Sequence, residues 1–281
     1  MFSRRTHRWL ALLYLAILVG CSNTFMYNRL DWLIPWHVGD YVDLNRAQNS
    51  EFKVQLRVLL DWHRNDELES YIRILDRIER DLEQPVDTGT VQIWANFLLI
   101  AWQRIENRIL PIALGLGDEL SEAQMADFIE ALWDKQADHE KEYLSRSEAE
   151  YADDLFESLQ DNLSEFLGRL SPQQKDILFV SAGSLQRFDH AWLEDRRAWL
   201  IRLQELLKRE PGWQTSVVEA LAARDGQRSG EYAKRFAHNL HVINGLIADT
   251  VNLRDAKQSI RLDKKLKGMR RDLETLINLA N

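Results

Sequence analysis

From Leu262 to Ala280 the apolar residues Leu262, Leu266, Met269, Leu273, Leu276 and Ala280 recur at intervals of 4, 3, 4, 3 and 4. Intervals averaging 3.5 keep these side chains on one face of an α-helix, whereas a strand would expose every second one. Such a seam has to be covered by a partner helix, expected here from the same chain. Spacing of three and four continues along most of the sequence, prolines number only 5 in 281 residues, and no segment alternates as a strand does. The expectation is an all-α, elongated multi-helix bundle of about eight to ten helices. They are expected near 43–62, 66–84, 90–110, 121–146, 147–168, 171–181, 184–209, 213–224 and 229–279. Breaks are expected at Pro85, Pro111, Gly168, Gly183 and Pro211-Gly212, and the last helix can be divided near Gly245.

Within "IWANFLLIAW", Ile93 to Trp102, Asn96 is the only polar residue. A helix apolar all round is buried, and ten residues cannot cross a bilayer, so this stretch is expected to be the core helix. No long linker appears, which favours one helical domain over 43–281, with a division into two lobes near 169–185 kept open.

The N-terminus has a different character. Met1 to Arg8 carries Arg4, Arg5 and Arg8 without an acid, and Trp9 to Val19 is unbroken apolar sequence. Eleven residues in a helix span roughly 16 Å, about half of a hydrocarbon core, so the run reads as an export signal over 1–20 and not as a membrane span. It ends in Leu18-Val19-Gly20-Cys21, which resembles the lipobox of bacterial lipoproteins. That resemblance implies diacylglycerol on the Cys21 thiol, cleavage just before Cys21, and acylation of the new amino group. Several chains would make the anchor effectively permanent. Ser22 at the next position implies, by the same resemblance, sorting to the outer membrane. Cys21 is the sole cysteine, so no disulfide can staple the body.

Without the signal the chain carries 33 basic against 44 acidic residues, which argues against nucleic acid as a partner. The acidity is uneven: residues 118–165 hold sixteen acids against three bases, and residues 254–272 hold eight bases against three acids. Either these faces pair with each other in the fold, or the basic face meets anionic headgroups or an acidic partner. Lys257, Arg261, Lys264, Lys265, Lys267, Arg270 and Arg271 are the candidate binding face.

Between anchor and body, residues 21–42 contain Phe25, Met26, Tyr27, Leu30, Trp32, Leu33, Ile34 and Trp36. Tyr and Trp suit the headgroup level of a membrane, but they equally dock a segment onto a helical core; Trp32 and Trp36 are candidates for either, with core docking the expectation. Pro35 is expected to end any helix begun at 28–34. The run "YNRLDWLIPW", then "DYVDL", then "LLDWHR", resembles the start of an uncharacterised group of proteobacterial lipoproteins, over most of the chain. That resemblance implies location and fold, and no catalytic residue.

Motifs for chemistry do not survive inspection. His238 and His241 in "HNLH" share a helical face, but nothing nearby completes a metal site, and no Glu precedes any histidine by three residues as di-iron bundles require. There is no Gly-x-Ser-x-Gly elbow and no Gly-rich phosphate loop; Ser184 with adjacent Asp189-His190 does not form a hydrolase arrangement. "LSEAQ" at 120–124 and "LSPQQ" at 170–174 resemble the Leu-Thr-x-x-Gln motif of small helical periplasmic stress chaperones. Capping explains both: Ser121 and Ser171 at N-cap, Gln124 and Gln174 at N3, Pro172 at N1. The expectation is an envelope lipoprotein that binds a protein partner or membrane surface, without a cofactor. A chaperone-like holdase, or an enzyme on envelope lipid or peptidoglycan, is the alternative.

Overall fold

The computed structural model describes residues 22–224, 226 and 230–279. They form α1 (Ser22–Tyr27), α2 (Leu30–Val38), α3 (Arg46–Trp62), a π-turn (His63–Glu67), α4 (Leu68–Asp81), α5 (Thr88–Glu119) and α6 (Glu122–Leu144). Then follow α7 (Glu148–Leu167), α8 (Pro172–Ser184), α9 (Asp189–Leu206), α10 (Trp213–Ala223), α11 (Gly230–Asn252) and α12 (Ala256–Asn278). The fold is all-α, and no strand occurs among the described residues.

The seam on α12 is buried as its spacing requires: Leu262, Leu266, Met269, Leu273 and Leu276 lie in one core with Leu68, Tyr71 and Leu75 of α4. Each such side chain contributes about 1.5–3 kcal/mol by leaving water. Leu167 and Leu178, Val91 and Trp94 of α5, and Leu246 of α11 complete this core. This core takes in residues on both sides of 169–185. A second core gathers Val42, Leu120, Met125, Leu207, Trp213 and Val217. Gly117 is required in it, because a Cβ there would stand 2.9 Å from the Trp213 ring. The 32-residue α5 serves both cores.

Five expectations are corrected. The stretch 93–102 is not a buried core helix: only Trp94 and Ala101 are buried, while Ile93, Leu99, Ile100 and Trp102 are 40–48 % exposed. Pro111 does not break α5, nor Pro35 α2. Pro111 is exposed, so water can serve the carbonyl it leaves unbonded, and Leu110 and Leu114 beside it pack on the second core. Likewise Gly183 lies inside α8. The final stretch divides at 253–255, not at Gly245, because Asp255 caps α12 with a side-chain bond from Gln258 N–H at 2.8 Å.

Helix starts are tied together across the sequence. Asn45, Ser121, Ser147, Ser171 and Asp255 each head a capping box. Four of these boxes join in two reciprocal pairs. Gln48 donates to Gln124 Oε1 at 3.1 Å and to the Glu119 carbonyl at 2.7 Å, while Gln124 donates to Gln48 Oε1 at 2.8 Å and to the Asp43 carbonyl at 2.6 Å. Gln174 donates to Gln258 Oε1 at 3.0 Å and to the Thr250 carbonyl at 3.0 Å; Gln258 donates to Gln174 Oε1 at 2.9 Å and to the Arg169 carbonyl at 3.0 Å. Each clasp thus satisfies amides at two helix starts and a carbonyl at the end of a third helix, groups that helix geometry leaves orphaned. The unit α3, α5, α6 and the unit α8, α11, α12 are built on the same clasp.

Candidate functional site

The junction after Cys21 is turned inside out relative to an ordinary surface helix. Phe25, Met26, Trp32 and Trp36 are 62 %, 48 %, 61 % and 61 % exposed. Trp32 and Trp36 sit one turn apart on α2 and stack with ring centres 6.3 Å apart, and the Arg29 guanidinium covers the Phe25 ring. The expected docking of Trp32 and Trp36 onto the core does not occur; they face outward. What holds the segment is polar. Tyr27 Oη lies 2.8 Å from His63 Nδ1, His63 Nε2 lies 3.1 Å from Tyr71 Oη, and Arg64 donates to Asn28 Oδ1 at 2.9 Å while stacking on the Tyr27 ring.

The π-turn makes this possible. Its extra residue per turn changes the phase between α3 and α4, so that Glu67 and Leu68, neighbours in sequence, are both 2 % exposed. Glu67 is neutralised by Arg104 of α5, which donates from Nε at 2.8 Å and from Nη2 at 2.5 Å. Burial pushes His63 down to about 4 against the opposing pull of Glu67, and pushes Tyr27 up to about 12. Tyr71 is raised, first by burial and then by Glu67. At neutral pH all three rings are uncharged, and both nitrogens of His63 are engaged. This chain of hydrogen bonds locks α1 to the body and offers no free base.

Cys21 lies outside the described residues. The candidate basic face on α12 is split. Arg270 bonds Asp76 and Glu79 of α4, Lys265 bonds Glu165 of α7 at 2.6 Å, and the Arg261 stem covers Gly168, whose φ of +76° ends α7. Lys267 pairs with Asp263 on its own helix. Lys257, Lys264 and Arg271 are exposed, with no carboxylate partner among the described residues. The acidic α7 therefore meets the basic α12 within the fold through Glu165 and Lys265, and Lys257, Lys264 and Arg271 stay exposed.

The remaining sequence candidates do not converge. His238 Nε2 meets the Ser184 carbonyl at 2.9 Å, and the described residues contain no group of three metal-ligating side chains. Ser184 donates to Val180 O, and Asp189 is tied to Arg187 and Arg146. Ser121 and Ser171 do head capping boxes, as expected. Sequence reasoning missed the matching boxes at Asn45 and Asp255; the form cap-x-x-Gln in "NRAQ" and "DAKQ" would have disclosed them. No helix among the described residues is long and apolar enough to cross a membrane.

Taken together, these features define an all-α protein built from clasped helices, with an exposed aromatic junction at its N-terminal end. Residues 40–233 match the model of a family of unknown function (DUF6279), and the chain belongs to that family. No curated protein matches the sequence. No solved structure matches it either.

Proposed function

We propose that this chain is a proteobacterial envelope lipoprotein, acylated at Cys21, facing the periplasm from the outer membrane and binding partners without catalysing a reaction. The observation that carries this reading is the junction: four large apolar side chains stay exposed within fifteen residues of Cys21, on a segment whose opposite face is fixed by Tyr27 and Asn28. Trp at the headgroup level is favoured, whereas the same rings in water forfeit their burial energy. In this arrangement the acyl chains hold the protein, the aromatic face rests on the leaflet, and the helical body presents its free cations and exposed α5 strip to a protein partner.

Mass spectrometry of the mature N-terminus tests the proposal. A triacylated Cys21 is expected, and Cys21→Ser is expected to leave an unacylated form that no longer fractionates as a lipoprotein. A wild-type chain that starts elsewhere, or that keeps a free thiol at Cys21, overturns it.

A further inference from the structure

Between α4 and the first half of α5 lies an open cleft of about 370 Å³. Arg73, Arg77 and Arg80 line one wall; Phe97, Ile100 and Arg104 line the other. A second hollow of about 390 Å³ adjoins it at Ser70 and Arg104 and reaches Arg108. Positions 73, 77 and 80 are one and two turns apart, so the three guanidinium groups form an edge along roughly 10 Å of helix.

Two of these arginines, Arg104 and Arg77, are held by carboxylates. Buried Glu67 takes Nε and Nη2 of Arg104, leaving Nη1 without a partner among the described residues. Asp81, itself fixed by Trp94 Nε1 at 2.9 Å, takes only Nε of Arg77 at 2.8 and 2.9 Å, so both Nη groups remain unspent. Among the described residues Arg80 bonds only the Asp76 carbonyl of its own helix; Arg73 spends Nη2 on Ser70 Oγ at 2.7 Å, and its pair with Glu69 is long, 3.8 Å, and exposed on both sides. In a merely solvated helix face, acids alternate with bases on the outer surface. Here two carboxylates are spent on the inner edges, and forked donors are left facing a concave surface. The floor is apolar: Ile100 is 48 % exposed, and it lies in the run Ile93–Trp102, where Asn96 is the one polar residue.

Forked guanidinium donors match phosphate oxygens in pairs, and an apolar floor matches a hydrocarbon tail. We infer that this cleft binds a single phosphorylated amphiphile, its phosphate on the arginine edge and its chain along Phe97 and Ile100. The inference does not depend on the lipid anchor.

Hexyl phosphate is the probe, with inorganic phosphate and hexanol as its two halves, titrated calorimetrically into the full chain carried in phosphatidylcholine nanodiscs. Hexyl phosphate is expected to bind about tenfold or more tightly than either half, which is about 1.4 kcal/mol. Arg73→Glu with Arg80→Glu is expected to cost at least about tenfold, and Ile100→Ser to weaken hexyl phosphate while leaving inorganic phosphate unchanged. Arg73→Gln with Arg80→Gln is the second variant, should charge reversal disturb folding, and is expected to weaken binding in the same direction. Absence of binding, equal affinity for hexyl and inorganic phosphate, or unchanged binding in both double variants with a native circular dichroism spectrum overturns the inference. So does loss of hexyl phosphate binding in phosphatidylglycerol nanodiscs, which would mean that the bilayer surface occupies the cleft.

Discussion

Replacing Gln174 by Ala removes more than a helix cap. Its side chain is 0 % exposed; Oε1 accepts from Ser171 N–H at 2.9 Å and from Gln258, and Nε2 donates to Thr250 O and to Gln258. Ala strands one carbonyl, Thr250 O at the end of α11, in the buried interior, and one part-buried amide, Ser171 N–H, at the start of α8. Each stranded group costs about 1–3 kcal/mol, so the loss should be about 3–5 kcal/mol. Gln124 makes the equivalent four bonds, accepting from Ser121 N–H at 3.0 Å, but is partly exposed. Water can replace its bonds, and Gln124→Ala should cost only about 1–2 kcal/mol, as for an ordinary cap. Urea unfolding of the two variants and the parent, at matched slopes, measures the difference. The pair Gln174→Ala and Gln258→Ala should also be non-additive, since each single change already breaks the shared bonds; the double variant should cost less than the sum. Equal costs for Gln124 and Gln174, or additive costs for Gln174 and Gln258, would refute the clasp as a cooperative unit.

His63 makes stability depend on pH. Its folded value, about 4, lies below the ordinary 6.5, so the unfolded chain binds the proton more tightly; the contribution of about 3 kcal/mol is complete above pH 6.5 and is lost as pH falls towards 4, which urea melts at pH 7.5 and 4.5 check against a His63→Gln variant. On α12, reversing Lys257, Lys264 and Arg271 to Glu should leave the melting temperature within about 2 °C of the parent while weakening any salt-sensitive partner crosslink, because none of the three makes an ion pair among the described residues. Arg270→Glu, by contrast, places an acid against Asp76 and Glu79 and should destabilise by about 2–4 kcal/mol in the same melts. Tryptophan emission should shift to the blue on binding anionic vesicles, and Trp32→Ala with Trp36→Ala should abolish most of that shift.

The α12 seam was legible because a one-sided period of 3.5 has a single physical solution, and Leu262 to Leu276 are all buried. The apolar run at 93–102 misled because composition states how much surface is apolar, not how many partners are present. Val91, Trp94 and Ala101 meet the first core, while Ile93, Leu99, Ile100 and Trp102 on the same helix stay 40–48 % exposed. Trp32 and Trp36 show the same error: the sequence reading places these rings inward, while the inward contact is made by Tyr27, the residue with a hydroxyl able to reach His63. Ser121 and Ser171 were readable as caps from five-residue windows. The partners of their glutamines lie 76 and 84 residues away, where no local pattern reaches.

The π-turn places the junction beside the Arg104 mouth of the cleft, at the start of α4. With the wider turn, His63 and Arg64 meet α1 while Glu67, three residues later, reaches Arg104 on α5. Five residues therefore carry two loads: a neutral contact that fixes the N-terminal segment, and a charged one that fixes an arginine at the mouth of the cleft. The first tolerates burial because His63 and both tyrosines stay uncharged, the second because Glu67 is matched by a bidentate guanidinium. Neither demand could be met by a hydrophobic turn, which would pack equally well but would hold neither Tyr27 nor Arg104. The irregular turn keeps a histidine and a glutamate inside a helical core because the segments on either side of it need those particular hydrogen bonds.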